Sequence, residues 1–474
     1  MLFHTPEFFV LLLVTLVLYY LMPRRRTILL SVANIIFYSV SGLGFLVLFL
    51  SITTITYLCS LMLQGRYRRI VLWFAITINV IDIAFFKYSL FLLHNLERVF
   101  NIQLVATNSF WVSIVLPVGI SFYTFELISY IVDVYKQKTK PAKSLLDFWI
   151  FIAFFAHLIA GPIMRGQEFI PQINGMKSIR LKLSNFKIGI FYLVLGLSKK
   201  ILLADNLSPL VNRFFEHPEV LDGSGGWIGS YLFAFQIYFD FSAYSDMAVG
   251  IGYLFGLELP RNFLTPYLSA SATEFWRRWH ITLSSWIRDY IYISLGGSRR
   301  GEFRKYINLF LAMTLSGIWH GAQWTFVMWG MFHGGLLVAH NLFMKLKTKL
   351  KLTWLDNSFI YRIIAVVIFF QLTCLGWILF RVHNWHTALV VIHRMLSLQA
   401  FHVPQPYYKY LVIVIGLFAL HIIEYYLITY SPKISLTWHR IFPAPIRAVF
   451  YVLIVSILII FIKDKVSGFI YFQF

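Results

Sequence analysis

Three histidines, His320, His333 and His340, lie in a stretch from Tyr306 to Met344 that runs 39 residues without one Asp, Glu, Lys or Arg. A segment that apolar is membrane-embedded, and imidazole can move a proton there without holding a permanent charge. His320 stands apart in Ser316-Gly317-Ile318-Trp319-His320-Gly321, where glycines admit a close approach of backbone or substrate. A second histidine, His280, closes the upstream run Glu274-Phe275-Trp276-Arg277-Arg278-Trp279-His280. Acyl transfer to a hydroxyl needs a base working near neutral pH and a group that stabilises the developing oxyanion, and a histidine pair supplies both. The same residue types, with the carboxylates Glu126, Asp133, Asp240 and Asp246, also suit a proton-coupled transporter. No G-x-S-x-G elbow and no H-E-x-x-H pair occurs, so serine-hydrolase and zincin chemistry lose support. Cys59 and Cys374 both sit in apolar runs and point to neither a disulfide framework nor a zinc site, so no metal is expected. His333 and His340, seven residues apart, share one helix face and read as structural groups.

The elements that position these residues follow from composition. Hydrophobic residues make up 59% of the chain and charged residues 13%, which makes it a polytopic membrane protein. Apolar runs of spanning length begin near Glu7, Thr27, Ser41, Ile70, Trp111, Leu145, Lys187, Trp227, Asn308, Phe326, Arg362, Tyr410 and Ala448. They predict an all-α fold of about ten to thirteen transmembrane and re-entrant helices in one domain spanning residues 1–474. The first run is too long, and lacks the small-residue cleavage site, for a signal peptide, so it reads as a retained helix. Two Pro/Gly interruptions, Leu116-Pro117-Val118-Gly119-Ile120 and Ile159-Ala160-Gly161-Pro162-Ile163, break helical hydrogen bonding and suggest re-entrant elements around a central cavity. The net charge of +21 fits the positive-inside rule, with Arg24 to Arg26, Arg66 to Arg69, Lys136 to Lys143 and the Lys345 to Lys351 run in the cytoplasm. The 39 residues between Arg26 and Arg66 hold a hairpin of two spans, which places the N-terminus outside. Membrane lipids are partners; nucleic acid is not expected as one.

Residues 272–305 form a basic aromatic segment, with Arg277, Arg278, Arg288, Arg299, Arg300, Arg304 and Lys305 against Glu274, Asp289 and Glu302. Trp276, Trp279 and Trp286 recur at helical spacing, which predicts an amphipathic interfacial helix in its first part. Asp240 and Asp246, interleaved with Ser and Tyr hydroxyls, read as a polar network within the bundle. Residues 469–474, Phe469-Ile470-Tyr471-Phe472-Gln473-Phe474, form an aromatic tail that on composition alone is an interfacial anchor.

The runs Glu274 to His280, Asp289 to Gly301 and Ile318 to Ala322, with Leu116 to Tyr123, Ile159 to Arg165 and Tyr238 to Gly250, resemble the membrane-bound O-acyltransferase superfamily, closest to its bacterial alginate and peptidoglycan O-acetyltransferase branch. The resemblance covers most of the chain to about Gly335. It implies a ring of helices around a thinned centre, where a cytoplasmic donor pocket and an extracytoplasmic funnel meet near the catalytic histidine. His320 matches that histidine and His280 the second histidine of the Trp-His motif. Branch members take an acyl group from a cytoplasmic thioester, acetyl-CoA in the acetyltransferases, and pass it to an extracytoplasmic SGNH-type partner that acylates an envelope polysaccharide. The tail resembles the F-x-Y-x-x-F acyl-accepting motif of the small partner in teichoic acid D-alanylation, which makes Tyr471 a candidate acyl relay. Trp276, Arg277, Arg278, Arg288, Asp289 and Tyr290 then become the expected donor-binding residues. Ser316 stands where many relatives carry Gly, and Glu126 where Gln is commoner, which bears on donor selectivity. The reading is an O-acetyltransferase subunit of the bacterial inner membrane with a periplasmic N-terminus, acting for peptidoglycan, favoured on chain length, or an alginate-like exopolysaccharide. It requires an His320 imidazole wetted from both sides of the membrane. D-alanyl transfer to teichoic acid and a proton-coupled transporter are the alternatives.

Overall fold

A computed structural model describes residues 1–106, 110–430, 440–461 and 468–470. Among the described residues every regular element is helical. The chain divides into two compact units, Met1–Leu195 with Tyr244–Pro260, and Gly196–Ala243 with Arg261–Phe474. Among the described residues six helices are long and apolar enough to cross a membrane: Leu43–Met62, Arg68–Phe100, Trp324–Lys349, Phe359–Arg381, Gln405–Thr429 and Ala444–Phe461. Pro6–Leu21 and Pro23–Ser39 pass the same test together but are bent by 114°. This protein is therefore an all-helical polytopic membrane protein, with fewer helices passing a strict length and hydropathy test than the ten to thirteen segments expected. Several apolar runs resolve instead into short or broken helices. The run from Leu145 gives Leu145–Ala153 and Phe155–Leu158, too short to span singly.

In the first unit both Pro/Gly interruptions lie at helix boundaries, one before Ile120–Tyr135 and one after Phe155–Leu158. Gly119 adopts φ +76° just before the helix Ile120–Tyr135, and a Cβ there would lie 2.7 Å from the Leu158 carbonyl oxygen, so only glycine serves. Residues 159–165 leave helical geometry entirely. Non-helical backbone in a membrane domain must find partners within the protein. Two side chains provide them: Glu126 Oε1 accepts the Met164 N–H at 2.7 Å, and Asn34 Oδ1 accepts the Phe155 N–H at 3.1 Å. The Glu126 carboxylate also lies 3.4 Å from His157 Nε2, which contacts the Phe151 carbonyl at 3.0 Å. Glu126 is thus a structural acceptor for the broken segment.

The arginine triplet at the bend is divided in its duties. Arg26 is buried, donating to the carbonyls of Tyr19, Met176 and Ile179 at 2.8, 2.7 and 2.7 Å, with its guanidinium 4.4 Å from the Tyr19 ring centroid. It ties the bend to the backbone at Met176 and Ile179, whereas Arg24 and Arg25 are exposed.

Candidate active site

The second unit holds both candidate histidines. Its basic aromatic segment is not one amphipathic helix, as the tryptophan spacing predicted, but a series of short pieces. Ser271 caps the helix Ala272–Trp276 by accepting the Glu274 N–H at 3.2 Å, while Glu274 accepts the Ala270 N–H at 2.9 Å. The chain then turns at His280, whose φ of +42° and ψ of +57° are left-handed, and restarts as Ile281–Trp286 followed by a π-helix, Ile287–Tyr292. A tertiary contact explains the break. Asn262 accepts the Ile281 N–H through its carbonyl at 3.0 Å, and through Oδ1 the Thr282 N–H at 3.2 Å and hydroxyl at 2.7 Å. Those donors start the second helix, so His280 is held in strained backbone at the corner, a conformation that costs roughly 1–3 kcal/mol and gathers at functional sites. The tryptophans point inward: Trp276, Trp279 and Trp286 are all buried.

His320 ends the helix Glu302–His320, which forms a hairpin with Trp324–Lys349. The glycines near it serve backbone approach. A Cβ on Gly317 would lie 2.2 Å from the Phe326 carbonyl oxygen and 2.8 Å from Gly330 Cα, and one on Gly321 would meet the Phe326 ring at 2.2 Å. The His320 ring packs on Trp319 and Trp329, each at 4.8 Å, and on Phe380 at 5.3 Å. His280 packs edge-on to Phe241 at 4.6 Å and reaches Trp319 at 6.4 Å. The two imidazoles, 40 residues apart in sequence, are therefore brought to the same indole. Both are buried, His280 completely and His320 at 3% exposure, so the expected wetting of His320 from both sides is not met in this conformation. Trp319, Trp329 and Phe380 pack around the ring.

His333 and His340 do share a face, turned toward the helix Ala272–Trp276. His333 lies 5.2 Å from the Trp276 ring, and His340 Nδ1 is 3.0 Å from the Thr273 hydroxyl. Of the expected donor-binding residues, Trp276 belongs to this aromatic box, 5.8 Å from Trp329. Arg278 is paired with Glu274 at 2.7 Å, and Glu274 also takes Arg362 at 3.0 Å. Arg288 is paired with its neighbour Asp289 at 2.7 Å, Arg277 is exposed, and Tyr290 rests on Trp286 at 5.2 Å. Among the described residues no group of three or more His, Cys, Asp or Glu is placed to hold a metal ion. Tyr471, with Phe472 to Phe474, lies outside the described residues.

Two buried charge clusters hold residues that the sequence reading missed, Lys199, Lys200, Asp205 and Glu424, while Asp240, read there as part of a polar network, belongs to one of them. A π-helix, Lys199–Ala204, sends adjacent lysines to different partners. Lys199 pairs with Glu424 at 2.6 Å, and the Tyr238 hydroxyl donates to the same carboxylate at 2.7 Å. His421 joins them. Its Nε2 accepts the Tyr267 N–H at 3.3 Å, so Nδ1 carries the proton and faces Glu424 at 3.3 Å. Lys200 pairs with Asp240 at 2.8 Å and Asp205 at 2.9 Å. The other Asp240 oxygen accepts the backbone N–H of Ile470 at 2.7 Å. The available signal was a lysine pair in an apolar run and an isolated Glu424 three residues after His421; their partners are too distant in sequence to be paired by inspection.

The second unit thus brings two histidines of an all-helical membrane protein to one indole. The family model described as MBOAT, membrane-bound O-acyltransferase family, matches residues 141–383, a range containing both histidines. The chain is 40% identical over 392 residues to a probable alginate O-acetylase AlgI of Azotobacter vinelandii, covering 80% of this chain and 74% of that protein. It is 34% identical over 433 residues to a peptidoglycan O-acetyltransferase of Helicobacter pylori, covering 84% and 80%. A teichoic acid D-alanyltransferase of Bacillus subtilis is 28% identical over 282 residues, covering 56% and 69%. The chain belongs to the membrane-bound O-acyltransferase family, and is an acyltransferase.

Proposed function

We propose that this protein is an inner-membrane O-acetyltransferase subunit that takes acetyl from cytoplasmic acetyl-CoA and delivers it across the bilayer for O-acetylation of an envelope polysaccharide. The observation that carries the reading is the meeting of His280 and His320 at Trp319, inside the region matched to an acyltransferase family. Relatives named for alginate and for peptidoglycan acetylation support a polysaccharide acceptor, and the shorter, lower-identity match to the D-alanyltransferase makes acetyl the favoured group.

In the proposed reaction His320 acts as general base on the Tyr471 phenol, and the phenolate oxygen attacks the thioester carbonyl carbon. The C–O bond forms, the C–S bond breaks, and the thiolate of coenzyme A leaves with the proton that His320 had accepted. His280 orients the thioester or stabilises the charge on its carbonyl oxygen. A phenolate is a good leaving group, so a nucleophile on an extracytoplasmic SGNH-type partner takes the acetyl from the aryl ester, freeing the Tyr471 phenol, and passes it to the polymer. Exposed Arg277 and the basic segment to Lys305 attract the anionic donor at the cytoplasmic entrance, and the N-terminus lies on the periplasmic side.

Mass spectrometry of envelope polymers tests the reading. Cells carrying His320→Ala are expected to lose polymer O-acetyl groups by about 100-fold or more, the range of a lost general base. The polymer that loses acetyl identifies the acceptor: peptidoglycan, which chain length favours, or an alginate-like exopolysaccharide. Unchanged acetylation in both polymers defeats the proposal.

A further inference from the structure

The cluster of Lys200, Asp205 and Asp240 has no part in the reaction as written, yet it holds charges inside a membrane domain, where unpaired charge is expensive. Its geometry explains why. Lys200 is 1% exposed and is held by both carboxylates at 2.8 and 2.9 Å. Asp240 is 3% exposed; one oxygen faces Lys200, and the other accepts the main-chain N–H of Ile470 at 2.7 Å. The Lys200 ammonium lies 3.5 Å from the Gly468 carbonyl oxygen. One end of the cluster thus grips the backbone of the C-terminal tail through a donor and an acceptor two residues apart. Between them Phe469 is fully buried, 5.6 Å from Phe241, and the Phe241 ring packs 4.6 Å from His280.

We propose that Lys200 and Asp240 form a clamp that positions the tail for acyl transfer. The clamp reads main-chain atoms, so it fixes where the tail runs independently of its side chains. Charge makes the grip strong: a carboxylate acceptor is worth roughly twice a neutral one, and Lys200, 2.8 Å from one Asp240 oxygen, leaves the other turned to the Ile470 N–H. Phe469 then seats the tail against the ring that borders His280. Lys200 and Asp240 are positioning residues in this account, which rests on Tyr471 as the relay for its catalytic meaning but not for the clamp itself.

The full-length protein in detergent micelles is treated with carboxypeptidase Y, and its covalent labelling by acetyl-CoA carrying a radioactive acetyl group is followed in parallel. Two variants attack the same hydrogen bond from opposite ends. Asp240→Asn removes the charge of the acceptor; Ile470→Pro removes the donor and leaves the intramembrane cluster untouched, so it remains informative should Asp240→Asn fail to fold. In the wild type the tail resists the peptidase. In both variants the tail is digested, and the labelling rate falls at least about 10-fold while the KM for acetyl-CoA is unchanged, the size expected for losing a charge-assisted hydrogen bond. Asp240→Glu, which keeps the charge, restores part of both. Tyr471→Phe keeps the tail protected and abolishes labelling. Should Tyr471→Phe retain its label, the relay fails while the clamp survives if Ile470→Pro still frees the tail. A protected tail in Ile470→Pro, or a freed tail with labelling at the wild-type rate, overturns the clamp.

Discussion

At the scale of single residues, the catalytic candidates and the charges that support them differ in how visible they are from sequence. His320 and His280 stand out because each interrupts apolar or aromatic sequence with a titratable ring and a neighbouring Trp. Glu424 is as deeply engaged as either, receiving Lys199 at 2.6 Å, the Tyr238 hydroxyl at 2.7 Å and His421 at 3.3 Å, yet its only local mark is His421 three residues before it. Removing one member of a buried ion pair leaves the other charge uncompensated, at a cost of roughly 3–5 kcal/mol. Glu424→Ala is therefore expected to lower thermal stability in detergent markedly, and the double variant Lys199→Met, Glu424→Leu to recover most of it; equal stabilities across the three proteins would show that the cluster is inert. The candidate site was legible in its histidines because their chemistry is local. Lys199, Lys200, Asp205 and Glu424 were illegible because their meaning lies in partners up to 225 positions away.

Among the elements, the hairpin of Glu302–His320 and Trp324–Lys349 carries His320, and its close crossing depends on missing side chains. Gly317 and Gly330 face each other, with a Gly317 Cβ only 2.8 Å from Gly330 Cα, whereas a Cβ on Gly335 would meet nothing within 4 Å. Gly317→Leu should destabilise the protein by roughly 1–3 kcal/mol, as overpacking of a tight interface does, and displace His320 enough to reduce acyl transfer. Gly335→Ala should leave stability the same or raise it by up to about 1 kcal/mol through helix propensity. Melting curves of the purified variants decide, and equal effects at the two glycines would contradict the crossing. The hairpin was legible from its glycines and its apolar length. The broken segment from Ala272 to Tyr292 was not, because Trp276, Trp279 and Trp286 obey helical spacing while Asn262, outside the segment, captures the donors at Ile281 and Thr282 and forces the left-handed turn at His280.

For the whole molecule, composition determines the class, an all-helical polytopic membrane protein, while the number of segments depends on where long apolar runs break. Glu126 and Asn34 satisfy backbone at those breaks, a duty invisible before the fold is known. Not every residue of the basic runs is a solvated charge, since Arg26 and Lys347 are buried in structural contacts. Reporter fusions after Lys140 and Lys349 should report a cytoplasmic location and an N-terminal fusion a periplasmic one; the inverse pattern would place the donor side wrongly. The central claim is covalent passage of acetyl through this chain under the control of His320. Its most direct test is incubation of the purified protein with isotopically labelled acetyl-CoA, followed by peptide mass spectrometry. The account predicts one labelled acetyl ester on Tyr471, absent from His320→Ala. An unlabelled chain from a preparation that still supports polymer acetylation, or full labelling of Tyr471 in His320→Ala, would contradict it.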